Sequence, residues 1–69
     1  MQKRTLVREL LVAYMNEKRV QYIAIKDFTR EFKNRLPGVD VYRLTYHIGL
    51  NDTGFAIEKD EDTTYVRIL

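Results

Sequence analysis

Leu6, Val7, Leu10, Leu11, Tyr14 and Met15 recur at intervals of three and four residues, a spacing that lays them along one stripe of a helix. The pattern predicts a helix over residues 3–18, with Arg4, Arg8, Glu9, Asn16 and Glu17 mostly on its other side. Such a stripe serves as core or as the seam of a dimer, and Val12 and Ala13 widen it enough for both. Residues 20–25, Val-Gln-Tyr-Ile-Ala-Ile, are β-branched or aromatic in the main and too few for a helix, so they predict one brief strand in need of partners. Ile25, Phe28 and Phe32 then share a helical face over residues 25–34, with Lys26, Arg30, Lys33 and Arg35 on or near the outside. Ala24 is a poor N-cap for that helix, and Asp27 in its first turn compensates in part by facing the positive end of the helix dipole.

Leu36-Pro37-Gly38-Val39 is the sharpest break in the pattern, since Pro-Gly suits the central pair of a type II turn. Asp40 is a good N-cap for a third helix, whose inward stripe is Val41, Leu44 and Ile48 and which Asn51-Asp52-Thr53-Gly54 stops near Leu50. Residues 55–58 and 64–69 have strand composition and flank the polar segment 59–63, which predicts a β-hairpin with an acidic tip and one face turned to the helices. No internal repeat interrupts this order.

Composition narrows the possibilities. Sixty-nine residues make one small domain, because a chain of this size buries only about 60% of the surface it exposes when unfolded. With no Cys and a single His, neither disulfides nor a closed zinc site adds stability, and the 45% apolar share must supply the core alone. No apolar run approaches the roughly 18 residues of a membrane span, and the start from Met1 to Thr5 lacks a secretory h-region. A soluble, complete, cytoplasmic chain is expected, in a cell's own nucleoid or in a host cell. Net charge is only +2, yet residues 1–50 carry ten Lys/Arg against five Asp/Glu, whereas residues 51–69 carry two against five. A basic front and an acidic tail suit a molecule that turns one face to a polyanion, or one whose tail meets the front of another copy.

Catalytic chemistry is not expected. There is no Ser or Cys for a nucleophile, and Gly38, Gly49 and Gly54 do not form a phosphate-cradling loop. Asp60, Glu61 and Asp62 lack Ca²⁺-loop spacing, and so small a domain hardly encloses a cleft. No enzyme, metal or cofactor is therefore anticipated.

The order helix, short strand, helix, turn, helix, hairpin resembles the winged helix-turn-helix family over nearly the whole chain, an α+β fold. The likeness rests on Gln21-Tyr22-Ile23-Ala24 leading into Ile25-Lys26-Asp27-Phe28, on Leu36-Pro37-Gly38-Val39, and on Leu44-Thr45-Tyr46-His47-Ile48 followed by Gly54-Phe55. In that family, an apolar helix followed by Gly and a large apolar residue marks the passage from recognition helix to wing. The resemblance implies double-stranded DNA binding by a small transcriptional regulator, with the helix at about 40–50 in the major groove. Tyr42, Arg43, Tyr46 and His47 would then face outward as two i,i+4 pairs. Arg43 is the candidate for guanine O6 and N7, the two tyrosines for phosphate, sugar or thymine methyl, and His47 for phosphate or solvent. Lys26, Arg30, Lys33 and Arg35 would hold the phosphate backbone. A homodimer is expected because one such helix gives little specificity, with the first helix or the final strand supplying the contact.

The acidic tip departs from a phosphate-touching wing, since carboxylates near the DNA backbone cost binding. Either the wing stays away from phosphates, or only Lys59, Thr63 and Thr64 approach them. The alternative is a winged-helix protein-interaction module that docks its acidic wing on a basic partner without binding DNA.

Overall fold

The computed structural model describes residues 2–69; Met1, with its part in the expected lack of a leader, lies outside them. Helix α1 spans Lys3–Lys18 and buries Val7, Leu11 and Met15, one row of the expected stripe, with Leu6, Leu10 and Tyr14 half-buried beside them. It ends where Arg19 takes the left-handed conformation at φ 57° and the Arg19 and Val20 amides turn back to the carbonyls of Asn16 and Met15. That one row is consumed within the chain's own core.

Strand β1 is shorter than expected, Tyr22–Ala24, because Ile25 opens α2, Ile25–Phe32. That helix stops at Phe32, two residues early, and its Ala24 N-cap makes no side-chain hydrogen bond. It buries Ile25, Phe28 and Phe32. Phe28 and Phe32 lie 4.9 Å apart between ring centroids, and Tyr14 of α1 closes the cluster at 5.7 and 5.4 Å from them. Aromatic rings at these separations add stabilisation beyond their buried area.

The chain reverses at Leu36-Pro37-Gly38-Val39, where Gly38 has φ 77° and the Val39 amide donates to the Leu36 carbonyl at 3.1 Å, as a type II turn requires. Asp40 then caps α3, Val41–Asn51, its Oδ1 accepting the Arg43 amide at 3.1 Å. The buried row of α3 is Val41, Thr45, Ile48 and Gly49, with Leu44 only half-buried. Thr45 takes a core position that periodicity alone assigned to apolar residues, and its hydroxyl satisfies itself by donating to the Val41 carbonyl at 2.7 Å.

Strands β2, Phe55–Asp60, and β3, Thr63–Ile68, form a longer hairpin than composition suggested, with only Glu61 and Asp62 in the turn and Glu61 at φ 54°. β1 joins the other side of β3, so the antiparallel sheet has the order β1-β3-β2. β3 is thus the middle strand with both edges taken, and it offers no free edge for a second copy. The domain is a small α+β unit of three helices over a three-stranded antiparallel sheet, with a core built from all three helices, Phe55 and Val66. Among the described residues no helix is long and apolar enough to cross a membrane.

Two contacts hold α3 in place. Gly49 sits directly on the hairpin: a Cβ there would fall 2.7 Å from Ile57 Cγ1, closer still to Ile57 Cδ1, and 3.4 Å from Val66 Cγ2. At the end of α3, Asp52 accepts Arg8 Nε at 2.8 Å and the Gly54 amide at 2.9 Å, with Arg4 at 3.6 Å. These contacts fasten α1 to the α3–β2 corner. The Gly54 amide, then the Arg8 hydrogen bond and the charges of Arg8 and Arg4, hold the Asp52 carboxyl below its ordinary 3.8 against the opposing pull of burial.

Gly49→Ala should therefore lose stability in denaturant unfolding although alanine favours helix by about 1 kcal/mol, because overpacking costs about 1–3 kcal/mol. In an Ile57→Ala background the same change should be neutral or stabilising; equal effects in both backgrounds would remove the contact as the cause. For Asp52, the folded carboxyl has the lower pKa, so on acidification the unfolded chain takes up its proton first. The stabilisation is complete well above 3.8 and is lost as pH falls through the depressed folded value. Asp52→Asn should lower the unfolding midpoint at neutral pH, and its curve should converge with that of the parent chain once pH has fallen through the depressed folded value. A constant offset across that range would assign the effect to something other than charge.

Candidate functional site

The site lies where α3 and the hairpin run side by side. Side chains alternate faces along a strand, so Ile57 and Val66, paired in register, point to α3 and pack beneath Gly49. Lys59 and Thr64, the pair two residues nearer the turn, share that face and continue beyond the core. One turn back along α3 from Gly49 stands Tyr46, with Lys59 Nζ 5.8 Å from its ring centroid. Tyr42, another turn back and 41% exposed, and Arg43 complete the opposite wall. The result is an open groove of about 370 Å³ lined by Tyr42, Arg43, Tyr46, Lys59 and Thr64.

Two cations, two phenols and a hydroxyl line this groove, and no carboxylate does. Arg43 makes no ion pair among the described residues, and its position is set from the backbone by the Asp40 cap. The acidic groups of the hairpin fall elsewhere. Glu58 and Asp60 alternate with Lys59 onto the back of the sheet, where Glu58 is neutralised by Arg67 at 2.8 Å, and Glu61 and Asp62 form the turn. The pleat therefore separates the charges that are mixed along the chain. The groove can receive an anionic ligand edged with hydrogen-bond acceptors.

Of the residues named from the sequence, the groove gathers Tyr42, Arg43 and Tyr46. Tyr42 and Arg43 are exposed as expected, whereas Tyr46 is half-buried and packs against the core. His47 is exposed on α3 but does not line the groove. None of the four cations 26–35 reaches it either. Arg30 is bonded to Asp27, and Arg35 is 3.5 Å from Glu31 with its guanidinium 5.2 Å from the Phe32 centroid. Lys33 is exposed, and Lys26 borders a separate hollow on the other side of the hairpin. Lys59 and Thr64 lie in the groove, but Thr63 faces away from it into Lys26's hollow. Strand alternation read from a correctly placed turn distinguishes Thr64 from Thr63.

Comparison of the chain with models of protein families, with curated protein sequences and with solved structures finds no match.

Proposed function

We propose that this chain is a winged helix-turn-helix protein that binds double-stranded DNA as a small, cytoplasmic transcriptional regulator, with α3 in the major groove and the β2–β3 hairpin as its wing. The observation that carries the reading is the carboxylate-free groove, in which Arg43 and Lys59 approach from two elements with hydroxyls between them. α3 has 11 residues, about 16 Å at the helical rise, and the major groove, about 12 Å wide, admits a helix of this kind. Arg43 is the residue suited to guanine, since its planar fork bonds O6 and N7 together. Lys59 and the tyrosine and threonine hydroxyls suit phosphate oxygens. Lys33, unpaired among the described residues and exposed on the way from α2 to α3, supplies a further phosphate contact.

A homodimer belongs to the proposal because a single recognition helix reads few base pairs. Pairing edge to edge through β3 is closed to it, since β3 is flanked on both sides, and exposed side chains must supply the contact. Leu50 and Leu69, 60% and 74% exposed near the base of the hairpin, are the apolar surface free for it. A second reading is favoured by one feature: Glu61 and Asp62 project from the turn without ion pairs among the described residues, as an element docking on a basic protein would.

The test is titration of the purified protein with a fluorescent mixed-sequence duplex at two salt concentrations, with mass by light scattering on the same sample. Binding should fall steeply with salt. Arg43→Ala should cost about 1–3 kcal/mol and relax base preference, while Lys59→Ala should weaken all sequences alike and reduce the salt slope by about one. Equal, sequence-independent losses would remove the base-reading role from Arg43. No binding at low salt would overturn the DNA reading and direct attention to the acidic turn, tested by capture of a basic partner with Glu61 and Asp62 reversed to Lys.

A further inference from the structure

The other face of the sheet carries a second constellation that the α3 groove does not use. Tyr22 of β1 is 59% exposed, yet its ring is held in place edge-on to Tyr65 of β3, 5.6 Å between centroids at an interplanar angle of 74°. Between this pair and the start of α2 lies a hollow of about 370 Å³ that Lys18, Lys26 and Thr63 also line. It shares no lining residue with the α3 groove.

Its unpaired charge is positive. Lys18 and Lys26 make no ion pair among the described residues; Lys18 sits over the Tyr14 ring with Nζ 5.3 Å from the centroid, which leaves its charge unneutralised. The single carboxylate on the rim, Asp27, is bonded to Arg30. A braced aromatic ring that shares one hollow with two unpaired lysines matches the repeat of a nucleic-acid strand, in which a flat base alternates with phosphates.

We propose that this hollow is a second nucleic-acid site, taking one unpaired base of a single-stranded nucleic acid stacked on Tyr22, with the flanking phosphates on Lys18 and Lys26. A duplex does not fit the same chemistry, because its bases are already stacked on both faces and show only their edges. A second copy of the chain fits less well. The exposed large apolar side chains on the rim are Val20 and Tyr22 alone, well short of the roughly 800 Å² that each partner buries in a standard interface. The inference stands apart from the duplex reading and survives its failure.

The experiment is fluorescence anisotropy of the full chain at low salt with a labelled oligothymidine of about 15 nucleotides, beside an abasic strand of the same length. The abasic strand should bind about tenfold more weakly or worse, and Tyr22→Ala should weaken the oligothymidine by a similar factor while Tyr22→Phe preserves it. Replacing both Lys18 and Lys26 by Gln should lower the salt slope by about 1.4, at about 0.7 for each phosphate neutralised on a single strand. Arg43→Ala should weaken strand binding far less than Tyr22→Ala does. Equal affinity for base-bearing and abasic strands would overturn the stacking, and so would a folded Tyr22→Ala chain with unchanged binding. A loss shared with Arg43→Ala would place the strand in the α3 groove. Absence of strand binding, with a dimer in light scattering that Tyr22→Ala dissolves, would give the surface to a second copy. Should Tyr22→Ala fail to fold, the lysine pair and the abasic strand decide alone.

Discussion

The backbone of α3 rests on the hairpin at Gly49, and the relation of every other element to the site follows from that contact. Any side chain at this position would have to displace Ile57, with Val66 close behind. Since Val66 belongs to the middle strand, the contact sets α3 against the whole sheet, including β1 on its far side. It also fixes the register along α3. With Gly49 over the 57/66 pair, Tyr46 meets Lys59 and Tyr42 lies further toward the turn, so the width and lining of the groove are consequences of one missing Cβ. Interiors packed to crystal-like density transmit such a constraint rather than absorb it.

A domain this small has little apolar surface to spend, and its core shows how the shortage is met. Three aromatic rings from α1 and α2 form one cluster, and Thr45 enters the core by bonding to its own helix. Beside its buried Val7, Leu11 and Met15, α1 is tied down by charge as well. Arg8 lies against the Phe55 ring, 5.1 Å from its centroid, while bonding Asp52, so one side chain covers the core and ties two helices together. Arginine serves this double purpose because its stem and guanidinium face are weakly hydrated while its edge bonds carboxylate.

The elements were legible because each had a local cause. The stripe of α1, the Pro37-Gly38 turn and the Asp40 cap all depend on residues within a few positions of one another, and they lie where the pattern put them. What the pattern could not give was set by contacts distant in sequence. Thr45 looks polar until its own carbonyl partner is seen, and Gly49 looks like any helical glycine until the hairpin lies against it. The helical period puts Arg8 on the outer side of α1, and only the fold brings it to Asp52 forty-four residues away. The groove was half legible: Tyr42, Arg43 and Tyr46 follow from the period of α3, whereas choosing Lys59 and Thr64 over Thr63 needed the position of a two-residue turn. Among cations 26–35, Arg30 is occupied by Asp27 and Arg35 by Glu31, carboxylates three and four residues away that the sequence itself sets within reach.

On the proposed reading, the acidity of the hairpin changes from an objection into a constraint on pose. Exposed charges act over about 8 Å at physiological ionic strength, so Glu61 and Asp62 repel any phosphate the turn approaches directly, while Lys59, behind them and on the α3 side, attracts one. A pose led by the turn brings carboxylates to the backbone first. A pose led by α3 brings Arg43, Tyr46 and Lys59 first, with the turn's carboxylates two and three residues beyond Lys59. The two differ in the sign of the interaction before any base is contacted, which favours approach through α3 and penalises the orientation that reads nothing. Segregation of charge by the strand pleat thus gives a chain of net charge +2 a directional field that its composition does not show.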